Sequence, residues 1–209
     1  MKRIHLLLAI VLPAAAAVLQ GCFPAVMGLG AGAVMSAADR RTTGAQVEDE
    51  AIELKISGRI NERYGDRVHV DVTSFNRSVL LTGEVPEPRI KADIEKIALG
   101  VQNVRGVTNE IEIAGIPSAP ARANDGYLTA KVKTRFLDAG KFSPIYVKVT
   151  TEAGVVYLMG IVTEQEAADA VEIARTTGGV RKVVKIFEYC KPTDEICRPR
   201  EKTAPQANN

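Results

Sequence analysis

An internal repeat constrains this chain more than any other feature of its sequence. The segment that begins at Asp49 matches the segment that begins at Asp125 over about sixty residues. A repeat of this length means that both copies form the same small structure. The order of helices and strands can therefore be worked out once and applied to both copies.

Each copy begins with an amphipathic helix. Apolar residues recur every four positions, as one buried face of a helix requires. They are Ile52, Ile56 and Ile60 in the first copy, and Leu128, Val132 and Phe136 in the second. Each run predicts a helix of about four turns.

Two alternating, β-branched runs follow each helix and predict a hairpin. They lie at residues 68–72 and 79–85 in the first copy and at 145–149 and 155–162 in the second. Gly83 and Gly160 occupy equivalent places inside the second run, where glycine otherwise weakens a strand. We expect them to allow the close approach of a helix backbone.

A second helix and a closing strand complete each copy. The second helix is entered at residues 86–88 in copy one and at Thr163 in copy two, where Glu166 fits a capping box. The closing strands are predicted at 104–113 and 180–189. The order αββαβ predicts an α+β fold in which each copy has a three-stranded mixed sheet with two helices on one face.

The first 21 residues have the features of a secretory signal peptide. Lys2 and Arg3 precede an apolar stretch, and Leu-Gln-Gly at 19–21 stands directly before Cys22. This spacing resembles the lipobox of bacterial lipoproteins, in which the cysteine is acylated, for example with palmitate. We expect covalent lipid on Cys22 and no other cofactor, because acyl chains contribute about 0.8 kcal/mol per buried methylene to membrane binding.

Amino-acid composition predicts the boundaries of the tether and of the linker between the two copies. The apolar, glycine-rich stretch after Cys22 is shorter than the about 20 residues that a spanning helix needs, so we interpret it as part of a flexible tether. Residues 116–123, rich in proline and small side chains, are predicted to be a linker. The predicted segments are a signal peptide at 1–21, a tether at 22–47, domains at 48–115 and 124–190 with the linker between them, and a tail at 191–209.

Charge and side-chain chemistry argue against nucleic-acid binding and catalysis. The chain has 27 basic and 25 acidic residues, and removal of Lys2 and Arg3 leaves 25 of each, so no bulk attraction to nucleic acid exists. We interpret His69 as a surface-facing strand residue rather than a catalytic base. The carboxylates at 48–50 and 164–166 are expected at helix starts, where the macrodipole favours them. The chain is expected to be neither an enzyme nor a metal-binding protein.

Two cysteines near the C-terminus suggest a disulfide. Cys190 and Cys197 are seven positions apart, and Pro192-Thr193-Asp194 between them provides turn-forming residues. In an oxidising periplasm a small disulfide loop is favoured over two free thiols.

The repeat and the lipobox together resemble a known family, the dual BON-domain lipoproteins of Gram-negative bacteria. The second copy is most similar, at residues 124–133 and 147–167. The resemblance implies an outer-membrane lipoprotein facing the periplasm that recognises anionic phospholipid, chiefly phosphatidylglycerol, accumulates at cell-division sites and supports envelope integrity. Tyr127 stands where the family usually has tryptophan, and the resemblance is silent on the C-terminal tail.

The first helix of the second copy is the predicted lipid site. Its face opposite the core stripe combines an aromatic ring, basic side chains and a leucine, as an interfacial membrane contact requires. The predicted lipid-binding residues are Tyr127, Lys131, Lys133, Thr134, Arg135 and Leu137. In the first copy Ala51 and Lys55 occupy the matching face among acidic residues, which an anionic surface should repel.

A protein-binding adaptor or chaperone in envelope assembly is the alternative function. In that case Tyr127 packs against the other copy and the lysines are ordinary solvated charges. Outer-membrane assembly proteins or peptidoglycan-remodelling proteins would then be the partners.

Replacement Cys22→Ser tests the lipobox. The variant lacks the thiol that accepts the acyl chain, so the precursor should stay unprocessed and should not incorporate labelled palmitate. A variant that is still lipidated would refute the assignment. Phe23, in place of an aspartate that would favour inner-membrane retention, predicts sorting to the outer membrane, which membrane fractionation checks.

Overall fold

A computed structural model describes residues 39–198 of the chain. The predicted signal peptide, Cys22 and the tail beyond residue 198 lie outside the described residues. Residues 39–198 form two successive αββαβ units, and the fold class is α+β as predicted. Within this part of the chain, no helix combines the length and the apolar character needed to cross a membrane.

The two units contain matching elements. The first unit comprises α1 (Thr43–Tyr64), β1 (His69–Phe75), β2 (Ser78–Val85), α2 (Pro88–Leu99), β3 (Gly106–Asn109) and β4 (Glu112–Ile113). The second comprises α3 (Ala119–Ala139), β5 (Val147–Glu152), β6 (Val155–Val162), α4 (Glu164–Arg175) and β7 (Lys182–Tyr189). Short 3-10 turns lie at Gly65–Arg67, Pro144–Tyr146 and Glu195–Cys197.

In both units a parallel strand extends a hairpin. β1 pairs antiparallel with β2, and β3 and β4 pair parallel with β2. β5 pairs antiparallel with β6, and β7 pairs parallel with β6. The registers coincide at an offset of 77 residues, since Val72 faces Leu81 in one hairpin and Val149 faces Leu158 in the other. The sequence repeat is therefore a structural repeat.

The closing strand of the first unit is interrupted. The predicted strand at 104–113 forms two pieces, because Ile111 turns into the core at 1% exposure. The side chain of Asn109 accepts a hydrogen bond from the Ile111 amide at the break. β7 in the second unit is continuous.

The first helix of each unit is longer than predicted. α1 spans 22 residues and α3 spans 21. Their N-caps are Thr42 and Ser118, whose side chains accept hydrogen bonds from the backbone three residues ahead, upstream of the apolar stripe. Helix α3 therefore includes most of the predicted linker at 116–123, and α1 includes residues predicted to belong to the tether.

Each unit has its own core between its helices and its sheet. The apolar stripes predicted from the sequence lie at the centre of these cores, and every member is at most 4% exposed: Ile52, Ile56, Ile60, Leu128, Val132 and Phe136. Full burial of one such side chain stabilises the fold by about 1.5–3 kcal/mol.

A buried aspartate of α1 holds the turn of the first hairpin. The Asp49 side chain is 2% exposed and accepts hydrogen bonds from the amides of Asn76 and Arg77 and from the Ser74 hydroxyl. Asn76 and Arg77 both have positive φ, which non-glycine residues seldom adopt. The expectation that Asp49 lies at a helix start is wrong, because α1 begins six residues earlier, at Thr43.

The second unit repeats this contact. Asp125 of α3 is 7% exposed and accepts hydrogen bonds from the amides of Ala153 and Gly154. These two turn residues also have positive φ. A carboxylate on the first helix therefore fixes the hairpin turn in both copies, since a buried amide without a partner would cost about 1–3 kcal/mol.

Gly83 and Gly160 lie where the partner chain of the hairpin passes closest. A Cβ atom on Gly83 would lie 2.1 Å from the carbonyl oxygen of His69, and one on Gly160 would lie 2.3 Å from that of Tyr146. Both carbonyls belong to the chain that enters the preceding strand. For Gly83 the expected helix contact is therefore wrong, because His69 is the first residue of β1. For Gly160 the neighbouring backbone is the 3-10 turn that ends at Tyr146, not one of the α-helices.

The two sheets pack against each other through the faces that their helices leave open. Phe75 and Leu80 of the first unit join Tyr157, Met159 and Ile161 of the second in one apolar cluster. Each of the five side chains is at most 4% exposed. The two units therefore share a third core in addition to their own.

Thr73 and Thr150 mark a pseudo-twofold axis in this shared core. The two residues are equivalent at the offset of 77, and their hydroxyl oxygens lie 3.4 Å apart. A residue meets its own equivalent where a twofold axis passes through an interface. The two units are thus arranged like the subunits of a homodimer, but within one chain.

The residues ahead of α1 are bound to the second unit. The guanidinium of Arg40 donates to both carboxylate oxygens of Glu166, at 2.6 and 2.9 Å, and to the carbonyl oxygens of Ile161 and Cys197. It also stacks over the ring of Tyr146, 3.8 Å from the centroid.

Arg41 fixes the same segment to the first unit. Its guanidinium lies over the Phe75 ring, 4.1 Å from the centroid, and pairs with Asp39 and Asp49. Because these ion pairs hold residues 39–41, the prediction of a flexible tether at 22–47 is wrong at its C-terminal end.

Replacement of Gly160 tests this close approach of the Tyr146 carbonyl. Gly160→Ala places a methyl group against a backbone carbonyl, so the strands must separate, and we expect a loss of about 1–3 kcal/mol in the free energy of unfolding. The control is Gly126→Ala in α3, where a Cβ atom would meet nothing within 4 Å. That change should stabilise the protein by about 0.5–1 kcal/mol, because alanine is the better helix former. Urea unfolding curves measure both, and equal effects would contradict the contact.

Candidate functional site

Helix α3 presents an amphipathic face to solvent. Tyr127 is 62% exposed and Leu137 is 66% exposed. At 100° per residue, Tyr127, Lys131, Thr134 and Leu137 fall within about 120° of the helix circumference. The opposite side of α3 carries Phe136 and the rest of the core stripe. Substitutions on the exposed face can therefore change surface chemistry without touching the core.

The two lysines of α3 have different surroundings, and only Lys131 lies on this face. Lys131 donates a hydrogen bond to the carbonyl oxygen of Gly178 at 3.0 Å, and its Nζ lies 5.9 Å from the centroid of the Tyr127 ring. Lys133 is exposed. Within residues 39–198 the Lys133 ammonium has no hydrogen-bond or ion-pair partner.

Arg135 has a structural role in addition to any surface role. Its guanidinium donates to the carbonyl oxygen of Ile173 at 2.8 Å and to the hydroxyl of Thr177 at 2.7 Å. Arg135 thereby satisfies a carbonyl group at the C-terminal end of α4. Of the predicted cations, Lys133 and Lys131 are therefore better placed than Arg135 to meet a ligand.

Two further residues modify this face. The Thr134 hydroxyl donates to the carbonyl oxygen of Ala130 within the same helix, at 3.0 Å. Asp138 is exposed directly after Leu137 and lies on the same side of α3. The face thus carries the ammonium of Lys131 near its middle and the carboxylate of Asp138 at its C-terminal end.

Helix α1 differs from α3 at the equivalent positions. Ala51 and Lys55 replace Tyr127 and Lys131, but Val47 at 62% and Leu54 at 75% exposure form an apolar stripe beside them. The sequence prediction started from the surface residues of α3 and looked for their equivalents in α1. It missed this stripe because Val47 and Leu54 both align with alanines in α3.

A polar cluster joins the two units on one side of the pseudo-twofold axis. The Nδ1 atom of His69 lies 3.1 Å from a carboxylate oxygen of Glu84, and both side chains are mostly buried. Glu152 of the second unit is 7% exposed beside them. The interpretation of His69 as a surface-facing residue is wrong, because its side chain is mostly buried beside Glu84 and Glu152.

The cluster perturbs the titration of Glu152. Burial raises the pKa of Glu152 to about 7, and the Glu84 carboxylate acts in the same direction, while His69 opposes it. Sequence analysis missed this cluster because its members come from three strands, and no local motif contains them.

The C-terminal cysteines lie beside the N-terminal segment. Cys190 and Cys197 form a disulfide with their Cα atoms 6.1 Å apart, and Cys197 is 3% exposed. Asp194 accepts a hydrogen bond from the Lys191 amide and so closes the turn between them. The start of the tail and the chain ahead of α1 are therefore fixed at the same place on the second unit.

Comparison with known proteins identifies the repeated unit. The BON domain family matches residues 48–115 and 124–191, which include both hairpins and most of both first helices. The chain therefore belongs to the BON domain family and contains two BON domains in tandem.

Two relatives are similar to most of this chain. Outer membrane lipoprotein DolP of Haemophilus influenzae is 39% identical over 173 residues, which cover 82% of this chain and 90% of that protein. The 21 kDa hemolysin of Actinobacillus pleuropneumoniae is 29% identical over 153 residues, which cover 72% of this chain and 79% of the hemolysin. These relationships support an outer-membrane lipoprotein built from two BON domains.

A solved structure is also similar. The C-terminal domain of CdsD, a structural protein of the type III secretion system of Chlamydia trachomatis, is 11% identical and has a TM-score of 0.29. The match covers 66% of this chain and 96% of that domain. A likeness this weak carries no argument about function.

The Arg40–Glu166 ion pair makes stability depend on pH. Burial raises the pKa of Glu166, but hydrogen bonds from Arg40 and from the Thr163 amide outweigh it, so the net pKa is below its usual value of 4.5. The predicted capping box of α4 is confirmed by the same contact. A lowered pKa stabilises the fold above pH 4.5, and this stability is lost as pH falls through the lower folded-state value.

Glu166→Gln should therefore lower the free energy of unfolding by about 1–3 kcal/mol at neutral pH and by much less in acid. Unfolding monitored by circular dichroism between about pH 3 and 8 measures the difference. The control Glu164→Gln changes an exposed carboxylate in the same helical turn and should have little effect at any pH. A Glu166→Gln penalty that is independent of pH would rule out the ion pair as the cause.

Proposed function

We propose that this chain is a lipid-anchored outer-membrane protein that faces the periplasm and binds anionic phospholipid, chiefly phosphatidylglycerol, through helix α3. In this proposal acylated Cys22 holds the protein at the membrane and the second BON domain recognises headgroups. The protein would support outer-membrane integrity, acting at cell-division sites. The family relationship supports the membrane location, and the exposed face of α3 supports the lipid contact.

The observation that carries the proposal is the exposed ring of Tyr127 beside a lysine. A tyrosine that is 62% exposed on a helix presents an apolar ring with a polar hydroxyl at its tip. Such side chains are favoured at the boundary between acyl chains and headgroups. Leu137, three turns further along α3, adds apolar surface on the same side.

Charge supplies the preference for anionic lipid. Each lysine near an anionic leaflet contributes about 1 kcal/mol to binding. Lys133 and Lys131 together therefore provide a modest attraction, which Asp138 partly opposes. Binding of this strength suits reversible recognition by a protein that a covalent lipid already holds at the membrane, because the anchor raises its effective concentration.

Adaptor binding to proteins is the second candidate. The exposed stripe of Val47 and Leu54 on α1 favours it, because exposed apolar side chains in a row are typical of protein contacts. The partners would be outer-membrane assembly or peptidoglycan-remodelling proteins. We propose neither a catalytic role nor nucleic-acid binding for either domain.

Tyr127→Glu should abolish binding to phosphatidylglycerol vesicles. The change places a carboxylate at the boundary with anionic headgroups while leaving the core stripe of α3 untouched. Co-flotation of the chain from residue 23, which lacks the acylated cysteine, with vesicles of phosphatidylglycerol or phosphatidylcholine measures binding. Binding of the unmodified chain should also weaken in about 0.5 M salt, because exposed charges are screened over a Debye length well below 10 Å.

The matched control is Ala51→Glu, which adds the same charge at the equivalent position of α1. It should leave flotation unchanged. Equal effects of the two substitutions, or equal binding to neutral and anionic vesicles, would remove the lipid proposal and favour the adaptor. A Tyr127→Glu protein that still accumulates at division sites would show that lipid binding does not set its location.

A further inference from the structure

Three side chains with metal-binding atoms meet between the two BON domains. They are His69 on β1, Glu84 on β2 and Glu152 at the end of β5, and their nitrogen and oxygen atoms lie within 4.8 Å of one another. His69 and Glu84 face each other directly across the antiparallel pair of β1 and β2. Two ligands therefore come from the first domain and the third comes from the second.

The Glu152 side chain is mostly buried, and its carboxylate has no hydrogen-bond donor in the described part of the chain. The residue is 7% exposed, and within residues 39–198 no N–H or O–H group donates a hydrogen bond to it. The neighbouring Glu84 is 5% exposed. Two carboxylates buried together destabilise a fold unless a cation or a proton compensates them.

We propose that His69, Glu84 and Glu152 form a binding site for Zn²⁺ or a similar divalent transition-metal ion, which links the two BON domains. An imidazole with two carboxylates suits zinc rather than calcium or magnesium, which take oxygen ligands. Ligands of one tetrahedral zinc ion are about 3.4 Å apart, so a carboxylate displacement of about 1.4 Å brings all three side chains within ligand distance. This site was not expected from the sequence, where its ligands are far apart.

The surroundings leave room for a fourth ligand. The cluster opens into a groove of about 320 Å³ that is also lined by Asp71, Asp125 and Arg122. The Asp125 carboxylate is already engaged with the turn amides of the second hairpin. Asp71 adds negative charge that favours a cation, and Arg122 at the mouth opposes it. Water entering from the groove can occupy the remaining position on the ion.

Zinc titration of the mature chain in detergent, after dialysis against a chelator, tests the site. Isothermal titration calorimetry should show one Zn²⁺ per chain. Glu152→Gln and His69→Gln should each weaken zinc binding by more than about tenfold, since loss of a ligand exceeds the effect of losing an outer-shell partner. The exposed carboxylate variant Glu164→Gln is the control and should bind as the unmodified chain does.

Thermal unfolding provides a second measurement. Zinc should raise the Tm of the unmodified chain, because it binds only the folded pair of domains, and should leave the Tm of Glu152→Gln unchanged. The glutamine has the size of the glutamate and relieves buried charge, so this variant should fold even if His69→Gln does not. The proposal is overturned if zinc gives no heat, if Glu152→Gln binds it with unchanged affinity, or if Mg²⁺ binds equally well. None of these outcomes bears on the lipid-binding proposal.

Discussion

A BON domain that packs both helices on one face of its sheet leaves the other face of the sheet uncovered. In this protein the uncovered sheet faces of both domains are apolar. Phe75 and Leu80 in one domain and Tyr157 in the other would be exposed if the domains separated. At about 25 cal/mol per Å² of buried apolar surface, five large side chains stabilise the contact by several kcal/mol. Three other features depend on this packing, because each includes residues from both domains or from the segments that cross between them. They are the His69 cluster, the contacts of Arg40 and Arg41, and the position of the disulfide loop at the start of the tail.

The two copies use their first helices differently while sharing one core design. In both, a stripe of large apolar residues and one buried carboxylate, Asp49 or Asp125, face inward and position the hairpin. The outward positions are under no such constraint. They hold Tyr127 and Lys131 in α3, whereas α1 carries apolar residues among acids. The difference in surface chemistry between the two helices is thus confined to positions that do not affect folding.

Local patterns in the sequence predicted much of the fold and less of the candidate sites. Helical spacing, strand alternation and the Thr163 capping box depend on neighbours within a few positions, and these predictions are confirmed. The function of Asp49 could have been found, because the repeat aligns it with Asp125. The contacts of Arg40 could not, since its partners, from Tyr146 to Cys197, are far away in the sequence and no periodicity connects them. The reason for Gly83 was also misjudged, because spacing along one strand does not reveal which backbone lies beside it.

The pseudo-twofold axis relates positions on one side of the domain interface to positions on the other side. The offset of 77 residues relates His69 to Tyr146, Glu84 to Ile161, and Glu152 to Phe75. The counterpart of the polar groove is therefore an aromatic and aliphatic patch, and the stacked guanidinium groups of Arg40 and Arg41 cover it. Two identical subunits must carry the same residue on both sides of their axis. Two copies within a single chain need not be identical at equivalent positions. One side of the axis is therefore covered by Arg40 and Arg41, while the other side has ionisable groups along a groove.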